Sequence, residues 1–494
     1  MLRHIRQLFT ISMLNSPQFR QFLSNEIAYL KLFLPVWLYM FSTYTLGTTG
    51  VTFFTGKMDD LHLAGITLGM NAQLRMVFCF MIGFTSVFDI YGPQLIGKTQ
   101  QKELGRLMVK ILILGFGAFL LWIPLIVGSV LLMRRFPLIT QNEQLDSHKI
   151  RQIAEDFMFM YLGIFFLDFV VEIFLKYFAN LRFMLPVYCV PVLQAIIQVT
   201  LSYIFVCELE MKGEGIVLAA LFSRILSIMI IISIMFWKGV EWNFEKINTK
   251  DIFENWKTIL SIGSAAGFQM MLTYLNDSVA TYLCQRGGRV TMEVYGIIHR
   301  WAGISFPAAF AISYTSAITV GNALGEKDIS KIQYNIVLSV FNAIISIIVF
   351  LPVLFFSYDW FTSIFTSDSD VIGYARNTVY MVALFTTFDS FQELLGRGTL
   401  IVFGKVKFVS IVVTASTFLV GLPILFYTTF ATELYVYGLF LGLIAQMSVR
   451  VVSFCIALTK LDLIEEVKLC SERLEEETNY RKENDPLAES FEES

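Results

Sequence analysis

Apolar runs close to twenty residues long recur along almost the whole chain, separated by short clusters of charged and polar residues. Wound as an α-helix, a run of that length spans about 30 Å, the thickness of the hydrocarbon core of a bilayer. Boundaries placed at the charge clusters predict six helices, at 32–56, 62–88, 107–133, 157–178, 184–207 and 215–237. After a polar connector, six more follow at 257–284, 294–320, 333–357, 373–400, 408–430 and 434–458. The pattern predicts an all-α integral membrane protein of about twelve transmembrane helices. Its expected divisions are an N-terminal segment 1–31, a first six-helix bundle 32–237, a connector 238–256, a second bundle 257–458 and a polar tail 459–494. The tail is dense in Glu, Lys, Asn and Ser, which predicts a solvated, disordered segment.

Composition agrees with a bilayer as the main solvent: 56% of the 494 residues are hydrophobic and 16% charged, against roughly a quarter charged in soluble domains. A net charge of -3 with no Lys/Arg tract excludes a nucleic-acid partner. The six Cys are scattered, with no CxxC pair and no His at ligand spacing, so neither a metal site nor a disulfide framework is expected. No Walker motif and no set of nucleophile, base and orienter occurs, so neither a cofactor nor enzymatic catalysis is expected. Arg3, Arg6 and Arg20 precede no compact apolar core with a cleavage site, so the first helix is expected to serve as targeting signal. Lys98, Lys102, Arg106, Lys238, Lys246, Lys250, Lys327, Lys331, Lys405 and Lys407 favour a topology with both termini and the connector in the cytoplasm, although Lys57, Arg134, Arg135, Lys149, Arg151, Lys212, Arg286 and Arg289 then fall outside.

The two halves resemble each other. Gln94, Leu95, Ile96, Gly97 and Lys98, after the second helix, have a counterpart in Asn322, Ala323, Leu324, Gly325 and Glu326, after the eighth. The sixth and twelfth helices both open on a glycine, Gly215 and Gly438. Six helices return each repeat to its starting side, so the halves are expected to be parallel and related by an axis along the membrane normal, with a midplane cavity between them.

At these positions the chain resembles the multidrug and toxic compound extrusion family. Val320, Gly321, Asn322, Ala323, Leu324, Gly325, Glu326, Lys327 and Asp328 are similar to the family's V-G-N-x-L-G-x-x-(D/N). Ser86 to Asp89 with Gln94 and Gly97 resemble its A-L-D-x-x-x-x-Q-x-x-G, and Gly213 with Gly215, Val420 to Pro423, Leu34 with Pro35, and Leu61 to Ala64 also fit. The resemblance implies two parallel six-helix bundles and secondary antiport. Gly321, Asn322, Gly325, Gln94, Gly97 and Asp89 are read as architecture: glycines for close backbone approach, amides to cap or bridge helix ends. The chain departs from the family at the paired seventh-helix glutamates, which would fall on Thr273 to Ser278 and find only Asp277, at Ala179 and Leu181 in place of glutamines, and at Thr319 in place of Arg.

A charge at the bilayer centre costs at least about 2.5 kcal/mol, which makes intramembrane ionisable residues candidates for function. Asp389, with Gln392 in a segment resembling the family's F-D-x-x-Q, is the leading cavity carboxylate. Asp277 in the seventh helix is a second ion-coupling candidate, and Arg300, beside His299 in the eighth, is a candidate partner for Asp277 or Asp389. Asp168 is a candidate for a site in the first half. Glu172 and Lys176 have the spacing of an i,i+4 pair near the cytoplasmic end. Asp89 is expected at a helix end, where capping suffices, Arg75 and Arg224 are read as pairing residues, and Pro35 is placed near the start of the first helix.

These readings converge on a monomeric antiporter, in the plasma membrane or else a vacuolar or vesicular one, that exports small organic, cationic or amphipathic compounds in exchange for H⁺ or Na⁺. The alternatives are a flippase for lipids or lipid-linked sugars on a related fold, and a non-transporting receptor or channel.

Overall fold

The computed structural model describes residues 17–46, 54, 62, 65, 66, 69, 75–97, 101–135, 144–238, 256–284, 288–365, 368–432 and 434–472, and among them every regular element is helical. The first half holds α1 (Pro17–Met40), α2 (Arg75–Phe84), α3 (Ser86–Gly97), α4 (Gln101–Arg135), α5 (Gln144–Asn180), α6 (Met184–Ser202) and α7 (Lys212–Lys238). The second holds α8 (Trp256–Cys284), α9 (Gly288–Gly325), α10 (Ile329–Phe365), α11 (Ser369–Leu395), α12 (Val406–Ser416), α13 (Leu422–Phe430) and α14 (Tyr435–Thr459). With α2 and α3, and α12 and α13, each forming one interrupted span, the architecture is two six-helix bundles. Nine spans among the described residues are long and apolar enough to cross a membrane. Large apolar side chains such as Phe356, 91% exposed, and Leu419, 75% exposed, point outward, as an outer surface solvated by lipid requires.

Several helices run past the bounds drawn from hydropathy. The first begins at Pro17, because its polar initial turns have partners in the second half: Asn342 donates to Glu26 (3.2 Å), Tyr29 donates to the Ile312 carbonyl (3.2 Å), and Phe22 packs edge-on against Phe341. Pro35 consequently lies inside α1 rather than at its start. The motif from Val320 to Gly325 lies within α9, and Gln94 and Gly97 lie within α3. The polar tail is not wholly unstructured: residues 463–472 are helical, with Cys470 buried and donating to Gln94 Oε1 (3.2 Å), and Glu466 pairs with Lys405 (2.6 Å). Residues 1–16, 239–255 and 473–494, which include most of the connector, lie outside the described residues.

The spans are interrupted where local chemistry asks for it. The second span breaks at Thr85, whose hydroxyl donates to the Ile82 carbonyl (2.7 Å). Pro423, which has no N–H to give the preceding turn, follows a widened π-helical turn at Thr417–Gly421. A second π-helical turn, Gly396–Leu400, continues α11. There Gly396 and Gly398 lie so close to Phe454 and to the Ser313 backbone that a Cβ would meet them at 2.9 and 2.8 Å.

The halves meet where α3 and α9 end, the end that also carries the start of α8 beyond the connector. A Cβ on Gly97 would lie 2.2 Å from the Asn322 carbonyl, and one on Gly325 would lie 2.3 Å from the Gln94 carbonyl. The contact is reciprocal: Gln94 with Gly97 on one side and Asn322 with Gly325 on the other, at identical spacing, as a two-fold axis along the membrane normal produces. Small residues permit this backbone approach. Higher up, Gly83 of α2 meets Gly267 of α8 in the same way. Apolar packing is continuous between the halves at this end. At the opposite end the second half has a separate core, including Val294, Trp301, Tyr358, Val382 and Phe440. Among the described residues the bundles share a core at the connector end, α2 packs along α8 and the end of the first span, Phe41–Leu46, reaches α9, while part of the second half has a core of its own.

Candidate functional site

Three buried polar networks lie inside the bundles. In the second half, Gln392 Nε2 donates to Asp389 Oδ1 (2.9 Å), and Arg450 of α14 donates through Nη1 to Gln392 Oε1 (3.0 Å). The remaining donors of Arg450 reach Ser416 Oγ and Thr417 Oγ1, each at 2.8 Å. The widened turn that begins at Thr417 brings that hydroxyl to the guanidinium. All five side chains are buried. Asp389 thus sits where the sequence places it, beside Gln392, and its electrostatic setting also includes Glu393 and Arg450.

The first half repeats the plan. Asp168 on α5 accepts from Arg224 on α7 (2.9 Å), and the other arm of Arg224 donates to Gln198 of α6 and to Ser223 Oγ (3.0 Å). Carboxylate, arginine and polar helper occupy the fourth, sixth and fifth spans of this half and the tenth, twelfth and eleventh of the other. Arg224 is a pairing residue, and Asp168 is its partner.

The third network lies at the contact between halves, and it corrects one expectation. Asp89 is neither capping nor snorkelling: it is 2% exposed and bound at 2.7 and 2.8 Å by Lys176 Nζ. Lys176 also forms the expected i,i+4 ion pair with Glu172, at 4.0 Å, and binds Asp89 more closely. The same ammonium lies 3.5 Å from the Thr85 carbonyl and 5.4 Å from the ring centre of Tyr314, on α9 of the opposite half. Arg397 sits beyond, 4.5 Å over the Phe310 ring, against Met270 Sδ at 2.8 Å and 3.9 Å from Glu393. It also acts electrostatically on Glu172.

The motif glycines and amides occupy the contact itself. Gln94 Nε2 donates to the Val402 carbonyl (2.8 Å), which bridges the halves as a capping amide would. A Cβ on Gly321 would meet the Pro93 ring at 2.6 Å. The Asn322 amide is buried with no hydrogen bond among the described residues, so its contribution to the contact is through its backbone carbonyl. Asp277, His299 and Arg300 fall on α8 and α9, but their side chains lie outside what the structure describes. Arg397, Arg450 and the role of Lys176 were missed from the sequence, although an intramembrane cation carries the same signal as an intramembrane acid. Among the described residues no cluster of His, Cys, Asp and Glu has the arrangement of a metal site.

Two helical bundles that meet at the connector end and bury acid and arginine networks define the class: an integral, multi-pass membrane protein. A family model described as MatE matches residues 265–427. Multidrug and toxin extrusion protein 1 of Pongo abelii and of Homo sapiens are each 23% identical over 410 residues, covering 81% of this chain and 69% of theirs. Among solved structures, the eukaryotic MATE transporter AtDTX14 superposes with a TM-score of 0.81 at 17% identity, over 91% of this chain and 99% of that one. A mutant of the Vibrio cholerae MATE transporter VcmN gives 0.76 at 16% identity, over 89% and 98%. The chain is therefore similar in sequence and in fold to the MATE family, and the proteins it matches are transporters.

Proposed function

We propose that this protein is a secondary active antiporter that exports small organic, cationic or amphipathic compounds in exchange for H⁺ or Na⁺. The observation that carries the reading is the reciprocal glycine contact between the two bundles at the connector end, with Asp389 buried inside the second bundle. Reciprocal glycine contacts can part and re-form as rigid bodies, which is what alternating access between two repeats needs. Asp389 is positioned by an amide and an arginine instead of being directly neutralised, so its charge remains available to a proton, a Na⁺ ion or a cationic substrate. The names of the extrusion relatives support the substrate class. In this reading both termini and the closed end face the cytoplasm, the protein works as a monomer in the plasma membrane, and its only cofactor is the coupling ion.

Purified full-length protein in liposomes, loaded with a fluorescent organic cation, tests this under separately imposed pH and Na⁺ gradients. Movement of the cation against its own gradient, driven by one of the two ions, is the expected result. Flux that only runs downhill under both gradients would overturn the antiport reading.

A further inference from the structure

The carboxylates of the interface network and of the second half are not independent. Glu393 acts electrostatically on both Asp389 and Arg450, and lies 3.9 Å from Arg397, which in turn acts on Glu172. Glu172 stands 4.0 Å from Lys176, which holds Asp89 at 2.7 Å. One series of ionisable groups therefore runs from Arg450 on α14, through the π-helical turn after α11, across the contact between halves to α5 and α3. Three buried carboxylates, Asp89, Glu172 and Asp389, and the partly exposed Glu393 share this series with three cations, Lys176, Arg397 and Arg450. A carboxylate away from water is costly unless its oxygens are paired or hydrogen-bonded.

Among the described residues of this series, the carboxylate left without a hydrogen bond on a buried oxygen is Glu172. Asp89 has both oxygens on Lys176, and Asp389 accepts from Gln392. Glu172 is 5% exposed, and its Oε1 is buried without a hydrogen bond. Arg397 Nε and the Tyr314 hydroxyl are also buried and without hydrogen bonds. Of the other charged groups around α5, Asp168 is taken by Arg224, and Lys110 of the neighbouring α4 is buried.

We propose that Glu172 is a second proton-binding carboxylate, placed at the contact between the halves and linked to Asp389 through Arg397 and Glu393. This rests on the antiport reading and specifies its ion at this position. A Na⁺ ion beside Glu172 would bring a third positive charge next to Lys176 and Arg397, whereas a proton neutralises the acid without one. Protonation removes the charge that Glu172 presents to both cations, one bound across to α3 and the other on the opposite half. The occupancy of Glu172 thereby biases how tightly the halves hold each other.

The test uses full-length protein reconstituted in lipid and infrared difference spectroscopy between high and low pH, which reads the C=O stretch of protonated carboxyl groups and needs no substrate. Wild type is expected to show this band, and Glu172→Gln to lose part of it, while Asp389→Asn loses a separate part. Glu172→Asp, which keeps an acid, is expected to retain the lost component at a shifted frequency. An unchanged band in both Glu172 variants would overturn the proposal. If Glu172→Gln does not fold, the Asp variant decides: a band without a shift overturns it. Because the readout is independent of transport, failure of the organic-cation assay with the Glu172 component present would refute the antiport reading alone.

Discussion

Replacing Gly325 with alanine tests the reciprocal contact. The new Cβ would sit 2.3 Å from the Gln94 carbonyl oxygen and 3.0 Å from Gly97 Cα, where ordinary van der Waals contact begins at 3.4 Å. Both obstacles are backbone, so no rotamer change relieves them, and the helices must separate by roughly 1 Å at this end. Overpacking of a tight contact costs about 1–3 kcal/mol. On the alternating-access reading the contact exists only while this end is closed, so the cost falls on that state and shifts the equilibrium about 5- to 150-fold toward the parted one. Spin labels at the exposed positions Arg182, in the turn after α5, and Ser330, in the first turn of α10, report the separation by pulsed dipolar spectroscopy. Gly325→Ala is expected to move the distance distribution to longer values, Gly97→Ala to do the same from the other side, and the double variant to add less than the sum, because one separation relieves both clashes. Wild-type distances and wild-type thermal stability in both single variants would refute the argument.

Other expectations follow from the buried networks. Lys176→Met leaves Asp89 and Glu172 without their shared cation, and breaking a buried pair costs about 3–5 kcal/mol, so thermal stability measured by size exclusion in detergent should fall sharply while Lys176→Arg retains part of it; an unchanged melting temperature in Lys176→Met would contradict the pairing. Arg450→Gln and Asp389→Asn should couple by roughly 0.5–3 kcal/mol in a double-mutant stability cycle, and strict additivity would show that Gln392 does not link them. Glu466→Lys reverses the pair with Lys405 and should release the helix at 463–472, so maleimide should label Cys470 faster than in wild type; equal rates would show that this helix is held by its apolar face alone.

Much of the architecture was legible because a bilayer leaves few options: apolar runs of the right length must be helices, and six per half fix the parallel repeat. The matching spacing of Gln94 with Gly97 and of Asn322 with Gly325 already pointed to the axis on which the two halves pack. Hydropathy failed where polar turns find partners in the protein rather than in water. The start of α1, bonded through Glu26 and Tyr29, and the helix carrying Glu466 and Cys470 are the two cases. It also failed for the site. Asp389 and Gln392 lie three apart on one helix, so their contact is local and readable. Lys176 binds Asp89, 87 positions away, more closely than its i,i+4 neighbour Glu172 because the break at Thr85 turns a carbonyl and the start of α3 toward it. Arg397 reaches Phe310 and Met270 from a π-helical turn that no hydrophobic periodicity reveals.

The central claim, coupled exchange through a buried carboxylate, is tested most directly by running the cycle backwards. Liposomes containing the protein, with no ion gradient, receive an inward gradient of a fluorescent organic cation while internal pH and Na⁺ are recorded. Wild type is expected to move H⁺ or Na⁺ outward as the cation enters, Asp389→Asn to lose that coupled flux despite normal insertion, and Asp389→Glu to retain part of it. Cation entry with no opposing ion movement in wild type, or undiminished coupled flux in Asp389→Asn, would contradict the account.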